Sequence, residues 1–402
     1  VCNFDKNTLL SNIHRMIDNY NTSISHLKAG DFNYNPTQIG WSANLKKVAS
    51  TGCLLNFIPE SVTIYTYRLF QKSYLYYERS LIERPGQWQH IFPPNCQNQV
   101  IGMKGTGGHK DFSLFLYDTI IDYNNFEAGT KCFPLYWYEE NKNPQVSLFD
   151  DAETHRYIRR DGITDWILKE VRNRFGGSRA ITKEHIFYYV YGLLHSAQYR
   201  ERFADDLKKS LPRIPIVDNV QDFMAFYKAG KELADLHLNY EQGINVQATG
   251  QDVDYTYFAE MPMKAYQTYA VKVIGDIDIW QSEWTDATYQ HFAVEKMRFA
   301  KVRDENGKLL ADKSKIIYNG HITIENIPLK AYEYIVNGKS AIEWIMERYA
   351  VTIDKASQIK NNPNDWSREH EQPRYILDLL LSVIILSCKT VDIVNSLPLL
   401  NK

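Results

Sequence analysis

The chain is short of cysteine pairs, long apolar runs and net charge, and each shortage excludes something. Its five cysteines, Cys2, Cys53, Cys96, Cys132 and Cys388, are odd in number, widely spaced and without a C-x-x-C pair. A disulfide framework and a zinc ribbon are thereby excluded, and a reducing cytoplasm is the expected compartment. The longest apolar run, "LLLSVIILSC" at 379–388, is half of the roughly 20 residues that a bilayer requires, so neither a membrane span nor a signal peptide is expected. A formal net charge of -2 argues against a uniformly basic surface while leaving room for a basic cleft balanced by acidic outer faces. No repeat period or low-complexity tract is present. The nucleophile elbow G-x-S-x-G is also missing. Glycine-rich "GMKGTGGHKDF" lacks both the GK[ST] ending and the G-x-G-x-x-G spacing, and so predicts a tight turn between strands. "YNPT" at 34–37 and "NNPN" at 361–364 lack the second proline of the N-P-P-[YFW] tetrapeptide of amino-methyltransferases. Because the first residue is Val rather than Met, the chain is expected to be a piece of something longer.

What is present describes an ordinary globular chain with an unusual surface chemistry. Hydrophobic residues at 44% and charged residues at 23% exclude disorder. A length of 402 residues calls for more than one core, since single cores stop growing at roughly 250 to 300 residues. The 28 tyrosines and 8 tryptophans suit a recognition surface, although an AT-rich genome would enrich tyrosine as well. Residues 1–55 read as helical, with Leu10, Ile13, Ile17 and Tyr20 at helical spacing. Residues 56–150 carry short aromatic and apolar runs broken by Gly, Pro and Asn, a β-rich lobe. Helix returns over 151–245. A second β-rich section spans 246–330, with Asn306-Gly307 as a hairpin turn, and a helical section fills 331–402, including an amphipathic stretch from Pro373 to about Val394. This order predicts an α+β fold of mixed helical and β-rich lobes rather than a doubly wound parallel sheet.

The stretch "HIFYYVYGLLHSAQYRERFADDLKKSLPRIPIV" at 185–217 gathers two histidines, tyrosines and arginines. Ile186, Val190, Leu193 and Leu194 recur at helical spacing, and Ser196 is placed to cap a second helix. His185 and His195 lie ten residues apart, about 80° out of alignment on a helix, so scaffold is expected and a metal pair is not. A nuclease would place an acid ahead of an E-x-K triplet, a pattern that Asp118 or Asp122 with Glu140 and Lys142 satisfies loosely. The basic residues are more suggestive. Arg156, Arg159, Arg160, Lys169, Arg172, Arg174 and Arg179 outnumber the acids of 155–179, and Arg68, Lys72, Arg79 and Arg84 interleave with aromatics over 66–88. Each run alone reads as a solvated face. Two of them on a slightly acidic chain point to a nucleic-acid groove, since arginine forks suit phosphates and guanine edges.

The 185–217 stretch resembles the helical segment of the C-terminal specificity region of Type ISP restriction-modification enzymes. "YRLFQKSYLYYERSLIERPGQWQHIFP" at 67–93, "KCFPLYWYE" at 131–139, "YIVNGKSAIEWIMERYAVTIDKASQIKNNPNDW" at 334–366 and "IVNSLP" at 393–398 are similar to further parts of that region, in the same order. The resemblance implies sequence-specific binding of double-stranded DNA, with upstream methyltransferase and helicase-like domains as partners and residues 1–55 as the connector to the methyltransferase. It implies S-adenosylmethionine, ATP and Mg for an adenine-N6 methylating parent enzyme, and no cofactor, metal or catalysis for this chain. Expected DNA contacts are Arg68, Lys72, Arg84, Lys104, Lys110, Arg156, Arg159, Arg160 and Arg174. A nuclease activity of the chain itself, and a purely structural coupling module, are the competing expectations.

Overall fold

A computed structural model describes residues 2–28, 40–83, 85–142, 156–241, 269, 271–275, 285–355 and 358–400. Arg84, the "YNPT" segment and most of the second β-rich section before residue 285 lie outside the described residues.

A short strand β1 (Cys2–Asn3) leads into helix α1 (Lys6–Lys28), and α2 (Ala43–Ser50) follows. The Ser42 hydroxyl accepts from the Leu45 amide at 3.0 Å and so fixes where α2 starts. Leu9, Ile13, Ile17, Tyr20 and Ile24 recur every three or four residues on α1, and all are buried. With Leu45, Leu55 and Tyr76 they form the smallest of three cores.

The β-rich stretch contains β2 (Val62–Arg68), β3 (Gln71–Tyr76), helix α3 (Trp88–Ile91), β4 (Val100–Met103), β5 (Leu114–Tyr117), β6 (Ile120–Ile121), β7 (Lys131–Pro134), β8 (Tyr136–Glu140) and β9 (Tyr157–Asp161). These make a four-stranded sheet in the order β1-β3-β2-β6, a three-stranded sheet β5-β4-β7 and a two-stranded ribbon β8-β9. Only the β2-β6 pair in these sheets is parallel. The glycine-rich run joins β4 to β5 as a turn, with Gly107 at φ 87°.

Helices α4 (Asp165–Arg174), α5 (Lys183–His195), α6 (Ala197–Arg202), α7 (Ala204–Lys209) and α8 (Val220–Leu238) follow. The two histidines of 185–217 are scaffold. His185 closes a capping box with Thr182 at the start of α5. His195 is buried, its Nδ1 2.8 Å from the Tyr191 carbonyl. Helices α5 and α8 cross at Gly192 and Gly230: a Cβ on Gly192 would lie 2.2 Å from the Phe226 carbonyl oxygen. Only hydrogen fits between the two backbones.

The remaining elements are β10 (Lys272–Ile274), α9 (Asp286–Phe292), β11 (Arg298–Arg303), β12 (Leu309–Ile317), β13 (Thr323–Glu325), β14 (Ile335–Val336), β15 (Lys339–Ser340), α10 (Ala341–Arg348), β16 (Thr352–Ile353), β17 (Lys360–Asn361), α11 (Asn364–Glu369) and α12 (Tyr375–Asn395). An antiparallel sheet runs β10-β13-β12-β11, and its β11-β12 hairpin turns at Gly307, φ 75°. The expected amphipathic character of 373–394 is corrected here. From Pro373 to Cys388 every residue is buried, because α12 threads the largest core and meets apolar neighbours on all sides. The one carboxylate inside that run, Asp378, accepts from Arg374 at 2.9 Å. Its pKa is pushed up to about 6 by burial, against the pull of Arg374. The fold is α+β, and no described helix is long and apolar enough to cross a membrane.

Candidate nucleic-acid interface

The β8-β9 ribbon packs Tyr136 and Trp137 against two of the cores and leaves most of β9 exposed. Its register pairs Tyr136 with Asp161, Trp137 with Arg160, Tyr138 with Arg159 and Glu140 with Tyr157. Side chains alternate between faces, so one face carries Tyr136, Tyr138, Tyr157 and Arg159, and the other Trp137, Glu139 and Arg160. The Arg159 guanidinium lies 4.3 Å above the Tyr136 ring, and Arg156 lies 5.5 Å from that of Tyr157. Both arginines are exposed, and neither has an ion-pair partner among the described residues. Arg160 donates to Glu139 at 3.2 Å in a pair that is half exposed on both sides, a weak pair that water readily loosens.

Several fixings hold the ribbon in place. The Gly162 amide donates to the Leu135 carbonyl at 2.7 Å, and a Cβ there would sit 2.1 Å from the Pro134 oxygen, so glycine alone lets β9 close onto the β7-β8 junction. The Tyr136 hydroxyl donates to Glu184 at 2.6 Å. Lys183 lies 2.8 Å from Asp161 and 2.6 Å from Asp165, tying the ribbon to α5 and α4. Threonine 164 caps α4 through the Ile167 amide. On α4, Arg172 is committed to the Ile181 carbonyl at 2.9 Å, while Arg174 meets Asp218 at 2.5 Å in an exposed pair. A two-stranded ribbon is one of the two element types that the DNA major groove admits.

The other expected contacts are placed differently. Arg68 ends β2 with its guanidinium 2.6 Å from Asp122 and 3.9 Å from the centre of the Tyr67 ring. Lys72 is interior, 2.9 Å from Glu241 and 3.7 Å from Asp118. Burial alone would lower its pKa, yet these two carboxylates hold it well above the ordinary lysine value. Lys104 is 4% exposed and lies 3.8 Å from Glu127. Lys72 and Lys104 are thus already paired with carboxylates, and a phosphate would meet either only by competing with that pair. Lys110 is half-buried, its ammonium 5.7 Å from the centre of the Trp344 ring. The structure thus brings Arg156, Arg159 and Arg160 together on one ribbon and scatters the rest.

A polar cleft of about 900 Å³ lies apart from every residue expected at the site. Lys296, Arg298, His321, Lys360, Arg368 and Gln290 line it, with Glu295 and Asp365 as its acids. Lys296, Arg298 and Lys360 make no ion pair among the described residues, and Arg368 reaches Asp286 only at 3.9 Å. Asn364 clamps the Val294 backbone at 2.9 and 2.8 Å and so sets the floor. The signal was in the sequence: Lys296, Arg298, Lys301 and Arg303 put four cations within eight residues.

The nuclease pattern does not assemble. Asp122 is engaged by Arg68 and by the Asn124 amide at 2.8 Å, and Asp118 faces Lys72. Among the described residues no three His, Cys, Asp or Glu side chains gather to hold a metal ion.

Residues 1–379 match the family described as the Type ISP C-terminal specificity domain. The fold superimposes on an ATP-dependent Type ISP restriction-modification enzyme, LlaBIII, bound to DNA, with TM-score 0.75 and 32% identity over 100% of this chain and 22% of that one. A nuclease-deletion mutant of the Type ISP enzyme LlaGI, in complex with a DNA substrate mimic, gives TM-score 0.74 and 31% identity over 100% of this chain and 32% of that one. A DrdV-DNA complex shares the fold, with TM-score 0.75 at 24% identity over 100% of this chain and 35% of that one. The chain therefore spans about a fifth to a third of the length of these proteins. No curated protein matches it.

Proposed function

Because the chain belongs to the family of Type ISP C-terminal specificity domains, we propose that it recognises double-stranded DNA sequence-specifically. It positions the duplex for adenine-N6 methylation and restriction by other domains of a longer enzyme. The observation that carries this reading is the β8-β9 ribbon with Arg156 and Arg159 exposed, beside tyrosine rings and without ion-pair partners among the described residues. Aromatic stacking holds each guanidinium extended, so less rotamer freedom is lost when it meets a phosphate or a guanine edge. Phosphate contacts fix register, and base-edge contacts supply the specificity. The cations of the polar cleft, Lys296, Arg298 and Lys360, offer a second set of phosphate contacts. S-adenosylmethionine, ATP and Mg serve the methyltransferase and helicase-like domains of such an enzyme rather than this chain.

Selection from a random duplex pool gives the test sequence. Arg156→Ala with Arg159→Ala is expected to make the slope of log affinity against log salt shallower by about 2 if both touch phosphates. If either reads a base, specificity relaxes at one position instead, with a loss of about 1–3 kcal/mol. Unchanged affinity, slope and base preference in the double variant would remove the ribbon from the interface. Mg²⁺-dependent cleavage by the chain, abolished by Glu140→Ala, would overturn the reading altogether.

A further inference from the structure

A second cavity, of about 890 Å³, has the opposite character to the polar cleft. Six aromatic rings wall it: Tyr65, Tyr67, Tyr77, Trp88, Tyr123 and Trp137, over a floor that includes Ile120 and Ile121 of β6. The rings are held in advance of any ligand. Trp88 stacks on Phe92 at 6.0 Å and 23°, and Trp137 on His90 at 5.0 Å and 13°. The Tyr77 hydroxyl donates to the Pro85 carbonyl at 2.7 Å.

Polar groups at these walls are unspent. The Trp88 and Trp137 indole N–H groups, the Tyr67 hydroxyl and the Gln87 side-chain amide, all from residues lining the cleft, make no hydrogen bond among the described residues. An apolar protein segment would leave such donors unanswered. A planar heteroaromatic ring with acceptors on its edge answers both the ring faces and the donors. The cleft is also continuous with the ribbon, because Trp137 belongs to β8 and shares its face with Arg160 directly across the strand pair.

We propose that this cleft takes a nucleobase unstacked from DNA lying on the β8-β9 ribbon. The inference rests on the DNA-binding reading above and adds a base-sized site to it. Ring stacking supplies the affinity and the free donors meet the base edge. An already unpaired base enters with less unstacking cost than a paired one.

The test compares a fully paired duplex with the same duplex carrying one unpaired thymine. The chain is expected to bind the bulged duplex about tenfold more tightly, the scale of one base stacked on an aromatic side chain. Trp88→Leu, on α3 and away from the ribbon, should abolish that preference while leaving the paired duplex bound as before. A 2-aminopurine in place of the bulged thymine provides a readout on the unmutated chain: its fluorescence falls on binding if it stacks between indoles. Equal affinity for both duplexes, a preference that survives Trp88→Leu, or a 2-aminopurine signal that rises on binding would each overturn the site while leaving the DNA reading standing. If the unmutated chain binds neither duplex at low salt, the DNA reading fails, and the base site with it.

Discussion

Replacing Gly230 by alanine is expected to lower the stability of the chain by about 3 kcal/mol, at the upper end of what overpacking costs. A Cβ at that position would lie 1.9 Å from the Tyr188 carbonyl oxygen and 2.7 Å from the Gly192 amide nitrogen. Both obstacles are backbone, so no side chain can swing away, and relief requires α5 and α8 to separate. Separation would open the core built on α5 and α8, where Tyr189 stacks on Phe223 at 4.6 Å and 20° and meets Phe226 edge-on at 5.9 Å. Gly192→Ala strains the same crossing, and the double variant should cost less than the sum because one displacement of the helices relieves both. Gly320→Ala is the control, since nothing lies within 4 Å of its added carbon. It should stay within about 0.5 kcal/mol of the parent. Urea midpoints at constant slope measure all four variants. A Gly230→Ala midpoint equal to that of Gly320→Ala would mean that the helices do not cross in backbone contact.

Acid is expected to destabilise the chain steeply below pH 6.5, through two histidines locked in the core. His237 has no exposure. Its Nδ1 lies 2.6 Å from the Tyr191 hydroxyl and its Nε2 3.2 Å from that of Thr390, with the Tyr334 ring stacked at 5.4 Å and 9°. Burial, aided by the nearby Arg200 cation, lowers its pKa from 6.5 to about 3. His195 is lowered well below 6.5 by burial and by Arg200 and His237. In both cases the unfolded chain binds the proton and the folded chain does not. Stability is then complete above pH 6.5 and falls as pH drops through the window, by about 1.4 kcal/mol per pH unit for each histidine. Asp378 acts in the opposite sense, since its folded pKa of about 6 exceeds the ordinary 3.8. It returns about 1.4 kcal/mol per unit between pH 6 and 3.8. For these three groups taken together, the loss over that span is still about 1.4 kcal/mol per unit. Denaturation midpoints from pH 7 to 4.5 give the slope directly, and a flat profile across that range would contradict the neutral, buried state of both rings.

Local elements were legible wherever one face of an element decides its fate. The Ser196 cap at the start of α6 and the Asn306-Gly307 turn are written in neighbouring residues and the structure repeats them, and it repeats the apolar spacing on α1 except that Leu9 rather than Leu10 takes the buried position. Helix α12 was read as amphipathic because periodicity reports polar positions and is blind to a core that surrounds an element. The surroundings of the candidate contacts were hidden for a related reason. Lys72 and Lys104 look like free surface cations beside their sequence neighbours, but Glu241 and Glu127, brought from 169 and 23 residues away, pair with them. Such pairings arise only when the chain is closed on itself. The arginines of β9 escaped this because the strand across from them offers tyrosines and only one carboxylate in contact, Glu139, which Arg160 takes.

Of the ten residues in β8 and β9, only Tyr138 is buried. The ribbon is held at its base by Gly162, Tyr136 and Lys183; Tyr136 and Trp137 pack against two of the cores and Tyr138 is buried, whereas Glu139, Glu140 and the residues of β9 after Tyr157 are exposed. Substitutions at its outer positions therefore fall in the class that shifts folding free energy by no more than about 0.5 kcal/mol. A lineage of such chains can exchange the side chains at 139, 156, 158, 159 and 160 step by step, each intermediate folding as well as its ancestor. If the ribbon reads the DNA as proposed, what the chain binds is thus free to drift while the scaffold that presents it stays fixed.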